Sequence, residues 1–318
     1  MDETLQGIGV RLEWTQLPGE VIRGIQQVLG ADVVETDSQR GGFSPGVAAR
    51  VRLSDGRRLF VKAVGEALNP VSPGLYRREA AVAGRLPSSV PTPRLLATYD
   101  EDGWVALVFE DVDARTPHLP WRRDDLDRVL ATVADLGRTL TPSPVELSPI
   151  ADDADDFAGF QELSAQSAGG TSLDDVDPWI LRNLHRLAGL HDRWVAATAG
   201  QTLLHLDLRA DNVLLTDDSV LFVDWPHAGV GAAWIDLLFM LPSVTLQGGP
   251  PPWEIFDAHP AAHAVDDEAA TIALAGFTGL LTASGRRPDP PGLPTVRQFQ
   301  RAQAAEGVRW LRRRTGWA

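Results

Sequence analysis

The sequence contains no cysteine, and basic residues are scarce relative to acidic ones. Without cysteine, disulfides, thiolate metal sites and a cysteine nucleophile are all excluded. The 29 lysines and arginines stand against 43 aspartates and glutamates, which gives a formal net charge of −14. A surface of that sign repels the phosphates of DNA and RNA, so we expect no nucleic-acid partner.

The sequence also lacks a long hydrophobic run. Its most apolar window, Ala269–Ser284, spans about 16 residues and is too short to cross a bilayer. The chain starts with Met1, Asp2 and Glu3, which do not form the basic start of a signal peptide, and no apolar stretch follows them. We therefore expect a cytoplasmic protein with no membrane partner.

What the sequence does contain is typical of a folded protein with a large core. Its 318 residues are 44% hydrophobic and 23% charged. In the first third, short apolar runs bounded by turn residues predict five strands: Val33–Thr36, Val47–Leu53, Arg58–Val64, Arg94–Tyr99 and Val105–Phe109. Two segments there have helical spacing, Glu20–Leu29 and Tyr76–Leu86.

The remaining two thirds are dominated by helical periodicity. The predicted helices are Leu126–Leu140, Phe157–Ser167, Trp179–Ala197, Ala233–Leu241, Glu268–Thr282 and Val296–Arg313. The proline-rich stretches Gly248–Pro252 and Pro288–Pro294 predict loops. The pattern indicates an α+β chain with a small β-rich N-lobe, residues 1–111, and a larger α-helical C-lobe, residues 112–318.

The most informative stretch begins in one short strand-like run, Thr202–Leu206, and continues to the end of a second, Val220–Val223. It contains His205, Asp207 and Asn212, and Asp224 follows the second run. This order predicts a base-like carboxylate, an amide and a metal-binding carboxylate at the mouth of a hairpin. Phosphoryl transfer requires such a set, with one carboxylate to orient a hydroxyl and two hard oxygen ligands for Mg²⁺.

The pattern His-x-Asp-x-x-x-x-Asn, followed by an apolar residue and Asp-Trp, resembles the catalytic loop of the aminoglycoside phosphotransferase and choline kinase-like family. The resemblance implies a two-lobed, protein-kinase-like fold. It also implies that Asp207 is the catalytic base and that Asn212 and Asp224 hold Mg²⁺. Leu206 departs from the pattern, since many relatives have glycine there.

Upstream residues fit the same resemblance. Lys62 lies within an apolar strand, where an unpaired ammonium is costly, and Glu79 is a natural partner for it. In this fold the strand lysine contacts the nucleotide phosphates and a helix glutamate holds it. The segment Gly41–Gly46 then corresponds to a phosphate-contacting loop in which Ser44 donates a hydrogen bond.

Three further positions take their roles from the resemblance. Glu110 and Val112 fall at the inter-lobe hinge, where backbone groups meet the adenine edge. Asp236 follows Asp224 by twelve residues, at the start of a helix, and supports the catalytic loop together with His205. Twelve residues leave no room for the long segment with which protein kinases bind peptides, so we expect a small-molecule acceptor and no protein substrate.

The resemblance implies transfer of the γ-phosphoryl group of ATP, with GTP left open, to a hydroxyl of a small polar molecule, with Mg²⁺ as cofactor. The expected acceptor is an antibiotic such as an aminoglycoside. Choline, homoserine, a sugar and a nucleoside or peptide antibiotic stay open as alternatives. A catalytically silent nucleotide-binding module is an alternative of another class, but loss of Asp207 or Asp224 would be its signature, and both are present.

Acidic residues cluster in the segment Ala151–Asp177. The cluster comprises Asp152, Asp153, Asp155, Asp156, Glu162, Asp174, Asp175 and Asp177. The family resemblance implies that this segment and the helices after Leu241 wall the acceptor pocket, with carboxylates that hold a cationic drug. A solvated charged loop is the alternative explanation of the cluster.

Overall fold

The computed structural model describes residues 9–39 and 41–318, so the acidic start of the chain and position 40 lie outside the described residues. The strands are β1 Val33–Ser38, β2 Val47–Leu53, β3 Arg58–Gly65, β4 Leu95–Glu101, β5 Trp104–Glu110, β6 Thr202–Leu204, β7 Val213–Leu215, β8 Val220–Phe222 and β9 Gly229–Gly231. The helices are α1 Gly19–Leu29, α2 Ser72–Ala83, α3 Arg123–Thr139, α4 Gly159–Ala168, α5 Pro178–Leu190, α6 Trp194–Thr198, α7 Ile235–Leu246, α8 Pro252–Ala258, α9 Asp267–Gly285 and α10 Val296–Thr315. Short 3-10 turns cover Trp14–Gln16, Ala154–Phe157, His191–Arg193, Ala210–Asn212 and Pro260–Ala262.

The N-lobe is an antiparallel sheet in the order β1-β2-β3-β5-β4, with a helix on each face. Alternate side chains of β3 point to opposite faces, as in any strand. Leu59 and Val61 belong to the apolar cluster that includes α1, whereas Val64 packs with Tyr76 of α2. Lys62 has the same parity as Val64, and the register of the sheet therefore directs it toward α2.

The C-lobe is built around helices that are buried on most sides. Ten successive residues of α7, from Ile235 to Val244, are buried, and α9 is buried along most of its length. α9 packs against α10, α4 and α6. This helical core and the N-terminal sheet confirm the prediction of an α+β fold with a β-rich N-lobe and a larger helical C-lobe.

The pairing of the short C-lobe strands differs from the prediction. The run that leads into His205, β6, pairs with β9 rather than with the run before Asp224. The hairpin is instead formed by β7 and β8, which follow Asn212 and precede Asp224. The three-residue strands β7 and β9 are too short to give a periodic signal, so the sequence alone did not reveal these partners.

One helix prediction and one loop prediction were also wrong in part. The single helix predicted over Trp179–Ala197 is divided by the turn His191–Arg193, which directs Trp194 into the core, where its ring nitrogen donates to the carbonyl of Ile150. The stretch predicted as a loop around Pro252 contains the start of α8, since proline is well tolerated in the first turn of a helix. A search of the described helices finds none long and apolar enough to cross a membrane.

Candidate active site

A buried ion-pair network joins the two lobes. Lys62 on β3 lies 2.5 Å from a carboxylate oxygen of Glu79 on α2 and also donates a hydrogen bond to Asp224, which follows β8. Lys62 and Glu79 are buried, at 7% and 3% exposure. Burial alone would lower the pKa of Lys62, but the two carboxylates raise it above its usual value and keep the ammonium charged. Burial raises the pKa of Glu79 to about 7.

The segment His205–Asn212, which we name the catalytic segment after its predicted role, holds the carboxylate of Asp207 from two sides. The side-chain nitrogen of Asn212 lies 2.7 Å from the carbonyl oxygen of Asp207 and 3.1 Å from its Oδ2, while Arg209 donates to Oδ1. Arg209 also makes two 3.0 Å bonds to Asp211. Burial alone would lower the pKa of Arg209, but Asp207 and Asp211 raise it. One oxygen of Asp207 therefore faces a guanidinium and the other an amide.

Asp236 supports the backbone that precedes Asp207. Its two carboxylate oxygens accept hydrogen bonds from the backbone nitrogens of His205, at 2.8 Å, and Leu206, at 2.7 Å. Leu206 has φ +64, a left-handed conformation that costs a residue with a side chain about 1–2 kcal/mol and is easy for glycine. Burial raises the pKa of Asp236 to about 6, although both hydrogen bonds favour its ionised form.

His205 links the catalytic segment to the strand end before Asp224. Its ring is fully buried, and its Nε2 lies 2.9 Å from the carbonyl of Val223, so Nε2 donates and Nδ1 accepts from the backbone nitrogen of Asp207 at 3.2 Å. Burial lowers the pKa of His205 to about 4, which keeps the ring neutral. Asp224 itself has φ +65, and Asp207 directly follows Leu206, which also has a positive φ. The carboxylates of Asp207 and Asp224 therefore both lie on irregular backbone.

A cavity of about 640 Å³ lies between the lobes beside these groups. Apolar side chains from both lobes line it: Ala48, Phe60, Phe109, Leu214 and Val223. A cavity lined by both apolar and charged side chains suits a flat heterocycle that carries a charged tail.

The predicted hinge residues lie at the same cavity. Glu110 and Val112 line it, although the carboxylate of Glu110 is bound to Arg94 and the carbonyl of Val112 accepts from Arg50 at 3.0 Å. The backbone N–H of Val112 is therefore the group of this residue that suits a ligand.

The glycine-rich loop, Gly41–Gly46, forms another wall. Ser44 lines the cavity and shares a 2.8 Å hydrogen bond with the hydroxyl of Tyr76. The ring of Phe43 lies 5.0 Å from that of Phe299 on α10 and 5.1 Å from the guanidinium of Arg209. The loop is thus in contact with the C-lobe as well as with its own sheet.

The structure brings most of the predicted site residues to one place. Lys62, Glu79, Ser44, Asn212 and Asp224 line the cavity with the two hinge residues. Asp207 lies just beside the cavity, next to Asn212, with 26% of its side chain exposed. His205 and Asp236 are buried behind it: Asp236 bonds to the backbone of the catalytic segment, and His205 bonds to that segment and to the carbonyl of Val223, which lines the cavity.

The donor set at Asn212 and Asp224 fits Mg²⁺. Asn212 uses its nitrogen to hold Asp207, which leaves its oxygen for a cation, and Asp224 engages Lys62 through only one of its oxygens. Within residues 9–39 and 41–318 no group of three or more His, Cys, Asp or Glu side chains lies together as a metal site. Mg²⁺ usually takes one or two protein oxygens and completes its shell with phosphates and water, so the oxygens of Asn212 and Asp224 are sufficient protein ligands for it.

The acidic cluster between Ala151 and Asp177 lies away from the cavity lining. Three of its members are bound to arginines: Glu162 to Arg287, Asp175 to Arg286 and Asp177 to Arg312. Asp177 also caps α5.

The cavity region contains two arginines whose placement the sequence analysis missed. Arg209 could have been noticed, since it is the basic residue inside the catalytic segment. Arg11 lines the cavity although it lies well before the glycine-rich loop, and no motif marks it in the sequence.

Comparison with known proteins gives a consistent result. Residues 41–274 match the profile of the phosphotransferase enzyme family, APH. A search of curated proteins finds no significant match. Among solved structures, a thermostable mutant of aminoglycoside phosphotransferase APH(4)-Ia is similar over 93% of this chain and 100% of its own, with 13% identity and a TM-score of 0.62.

Two other solved structures have comparable similarity. A spectinomycin phosphotransferase, APH(9)-Ia, in complex with ADP and spectinomycin, matches over 91% of this chain and 93% of its own, at 12% identity and a TM-score of 0.54. Choline kinase LicA from Streptococcus pneumoniae matches over 92% and 98%, at 15% identity and a TM-score of 0.54. These likenesses confirm the kinase-like fold. Because the family profile covers well over half of its length, the chain belongs to the phosphotransferase enzyme family, and it is a small-molecule phosphotransferase, as the sequence resemblance implied.

Proposed function

We propose that this enzyme transfers the γ-phosphoryl group of ATP to a hydroxyl of a small polar acceptor, with Mg²⁺ as cofactor. One observation carries the proposal: Lys62, Glu79, Asp207, Asn212 and Asp224 come from distant parts of the chain and meet in or beside the wall of the cavity. The nucleotide would bind between an N-lobe of residues 1–111 and a C-lobe of residues 112–318.

Each of these side chains has a task in the proposed reaction. Lys62 binds the phosphates, and Glu79 fixes the direction of its ammonium. Asn212 and Asp224 hold Mg²⁺, which neutralises phosphate charge when it is bound. Asp207 orients the acceptor hydroxyl and takes its proton, while Arg209 and Asn212 fix its two oxygens. Asp236 and His205 keep this segment in its conformation.

The remaining contacts bind the rest of the nucleotide. Backbone groups of Glu110 and Val112 would meet the adenine edge, and Ser44 would donate to a phosphate; support comes from their position on the cavity lining. GTP presents a different edge to the same backbone groups, so comparison of the two nucleotides tests the hinge assignment.

For the acceptor, we propose an antibiotic such as an aminoglycoside. Support comes from solved relatives whose complexes contain hygromycin B and spectinomycin. A less cationic acceptor, such as choline, homoserine, a sugar or a nucleoside or peptide antibiotic, is the second candidate. The ion pairs that occupy Glu162, Asp175 and Asp177 favour it, because those carboxylates are already neutralised.

A cytoplasmic location and the absence of nucleic-acid and protein substrates stay predictions. The segment of twelve residues from Asp224 to Asp236 supports the last of them, since it leaves no room for a peptide-binding insertion.

The experiment that tests the function is ADP release from ATP and Mg²⁺ in the presence of antibiotics, amino alcohols and sugars, with mass spectrometry of the acceptor. We expect one class to gain a phosphoryl group and Asp207→Asn to abolish the gain. Repeating the assay with GTP and without Mg²⁺ tests the nucleotide and the metal. Nucleotide binding with no acceptor phosphorylated would instead favour a silent binding module.

A further inference from the structure

A segment before α1 is bound to the glycine-rich loop by backbone hydrogen bonds. We name Gly9–Leu12 the N-terminal arm. The backbone nitrogen of Gly9 donates to the carbonyl of Gly42 at 2.9 Å, Leu12 donates to Gly46 at 3.0 Å, and Gly46 donates to Val10 at 3.0 Å. The nitrogen of Val10 donates to the carbonyl of Gly292, which lies in the loop before α10. The arm therefore has a defined place beside the cavity, held by both lobes.

Arg11 extends from this arm into the cavity wall. One terminal nitrogen donates to the carbonyl of Gly41, and the glycine-rich loop fits closely over the guanidinium: a Cβ on Gly42 would lie 3.2 Å from that nitrogen. The Nε of Arg11 is buried and finds no hydrogen-bond partner within the part of the chain that the structure describes. A buried donor on a charged group is unfavourable without an acceptor, so this atom calls for one.

The charge of Arg11 also distinguishes it from the other cations around the cavity. Lys62 is paired with Glu79 and Asp224, and Arg209 with Asp207 and Asp211. The cavity-lining arginines at positions 50 and 115 are likewise paired, each with an aspartate. Among the described residues Arg11 has no carboxylate in an ion pair, so its positive charge is available to an anion.

Arg11 lies on the side of the cavity where the predicted phosphate-contacting groups are. It donates to the carbonyl of Gly41 in the glycine-rich loop, and Ser44 of the same loop shares a hydrogen bond with the hydroxyl of Tyr76. The ammonium of Lys62 lies 5.0 Å from the centre of the Tyr76 ring, and Arg11 and Lys62 line the same cavity. Arg11 is thus close to the groups that surround the phosphates in the proposed complex.

We propose that Arg11 binds the nucleotide phosphates, as a second cation beside Lys62 supplied by the N-terminal arm. The proposal rests on the proposed nucleotide site. A guanidinium presents several donors in a fixed plane and matches phosphate oxygens, and Arg11 lines the cavity in which the phosphates are proposed to bind. Phosphate binding would also fix the glycine-rich loop, because the same guanidinium bonds to Gly41.

The test compares ligands that differ only in the number of phosphate groups. Binding of adenosine, AMP, ADP and ATP is measured by calorimetry for the wild-type protein, Arg11→Gln and Arg11→Lys. The matched control is Arg23→Gln, which removes one positive charge from an exposed position of α1. We expect Arg11→Gln to leave adenosine affinity unchanged and to weaken ADP and ATP by about tenfold to a hundredfold, with Arg11→Lys in between. The Arg23→Gln variant should bind like the wild type.

Two results would overturn the assignment. Equal loss of adenosine and ATP would show that Arg11 only holds the loop, and unchanged affinity for all four ligands would show that it contacts no phosphate. If the wild-type protein binds neither adenosine nor ATP, the proposed nucleotide site fails together with this inference. Wild-type binding of ATP with an unaltered Arg11→Gln variant would remove the inference alone.

Discussion

The two halves of the active site place their charged groups by different means. In the N-lobe, Lys62 lies in a regular strand, and side-chain alternation alone points it toward Glu79. In the C-lobe, Asp207 and Asp224 sit on irregular backbone, next to or at residues with positive φ. That backbone is held by side chains, with Asp236, His205 and Asn212 each bonded to main-chain atoms.

Because of this difference, we expect substitutions in the two halves to act in different ways. A change in the N-lobe half removes a charge from a sheet that persists through its ladder of hydrogen bonds. A change among the C-lobe supports releases a strained segment, since strained backbone persists only where surrounding contacts enforce it. Charge should therefore dominate the effects in one half, and backbone geometry in the other.

We expect the largest effect from replacing Asp207, because this change removes a reacting group and leaves both the N-lobe sheet and the side chains that hold the catalytic segment in place. We expect Asp207→Asn to lower kcat by about 10²–10⁴, because it removes the proton acceptor while the amide keeps most of the shape. The affinity for ATP should change little. Steady-state kinetics measures both, and Asp218→Asn, an exposed aspartate in the turn after β7, serves as the control. Full activity of Asp207→Asn would remove this residue from the chemistry.

The N-lobe half is tested by breaking its buried ion pair. Lys62→Met leaves the carboxylate of Glu79 buried without a cation, which should cost about 3–5 kcal/mol of unfolding free energy. The double variant Lys62→Met/Glu79→Gln should recover much of that loss without recovering activity, because the buried charge is gone but the phosphate contact is not restored. Chemical denaturation measures the stability. Equal stability of the single and double variants would contradict the charge-based account.

The C-lobe half is tested through pH. The pKa of His205 is lowered from 6.5 to about 4, so the neutral ring stabilises the fold fully above pH 6.5 and this contribution is lost as the pH falls toward 4. A shift of this size corresponds to about 3 kcal/mol, measured as the change in unfolding free energy between pH 6.5 and 4. The loss should be smaller in His205→Asn and unchanged in His185→Asn, which alters an exposed histidine of α5. Similar pH slopes in all three proteins would argue against burial as the cause.

We expect the smallest effect on unfolding free energy from a substitution at Leu206, the residue with positive φ before Asp207. Leu206→Gly relieves the positive φ but removes a partly buried side chain and increases the freedom of the unfolded chain. We expect the net change in unfolding free energy to stay below about 1 kcal/mol and activity to be retained. Leu204→Gly, in the regular strand β6, should cost more than about 2 kcal/mol, because that leucine is buried with no strain to relieve. Comparable losses for the two variants would show that strain at Leu206 is unimportant.

The sequence predicted those parts of the fold whose signal is local and periodic. β2 was predicted at its observed bounds, and the end of α1 at Gly30 follows from the left-handed conformation that glycine takes there. The division of Trp179–Ala197 depends on where Trp194 is buried, and the partner of β6 depends on chain that lies far away. Neither is encoded in nearby residues.

The site was predictable to the extent that it has a motif. The spacing of Asp207, Asn212 and Asp224 predicted the catalytic segment, and Lys62 in an apolar strand far upstream, with Glu79 on the helix that follows, fitted the same family pattern. The bonds of Arg209 to two aspartates required coordinates. The position of Arg11 also required coordinates. Arg11 lies far from the catalytic motif in the sequence, so no fixed spacing between the two could predict that it reaches the site.

The contact between Phe43 and Phe299 links the glycine-rich loop, where the nucleotide is proposed to bind, to the last helix of the chain. The two rings lie 5.0 Å apart, one at the tip of the glycine-rich loop and the other on α10. Any opening that lifts this loop must separate them and expose apolar surface to water, which opposes opening. In the proposed complex, α10, which contributes none of the proposed catalytic carboxylates, would therefore slow the release of spent nucleotide and with it the pace of successive turnovers.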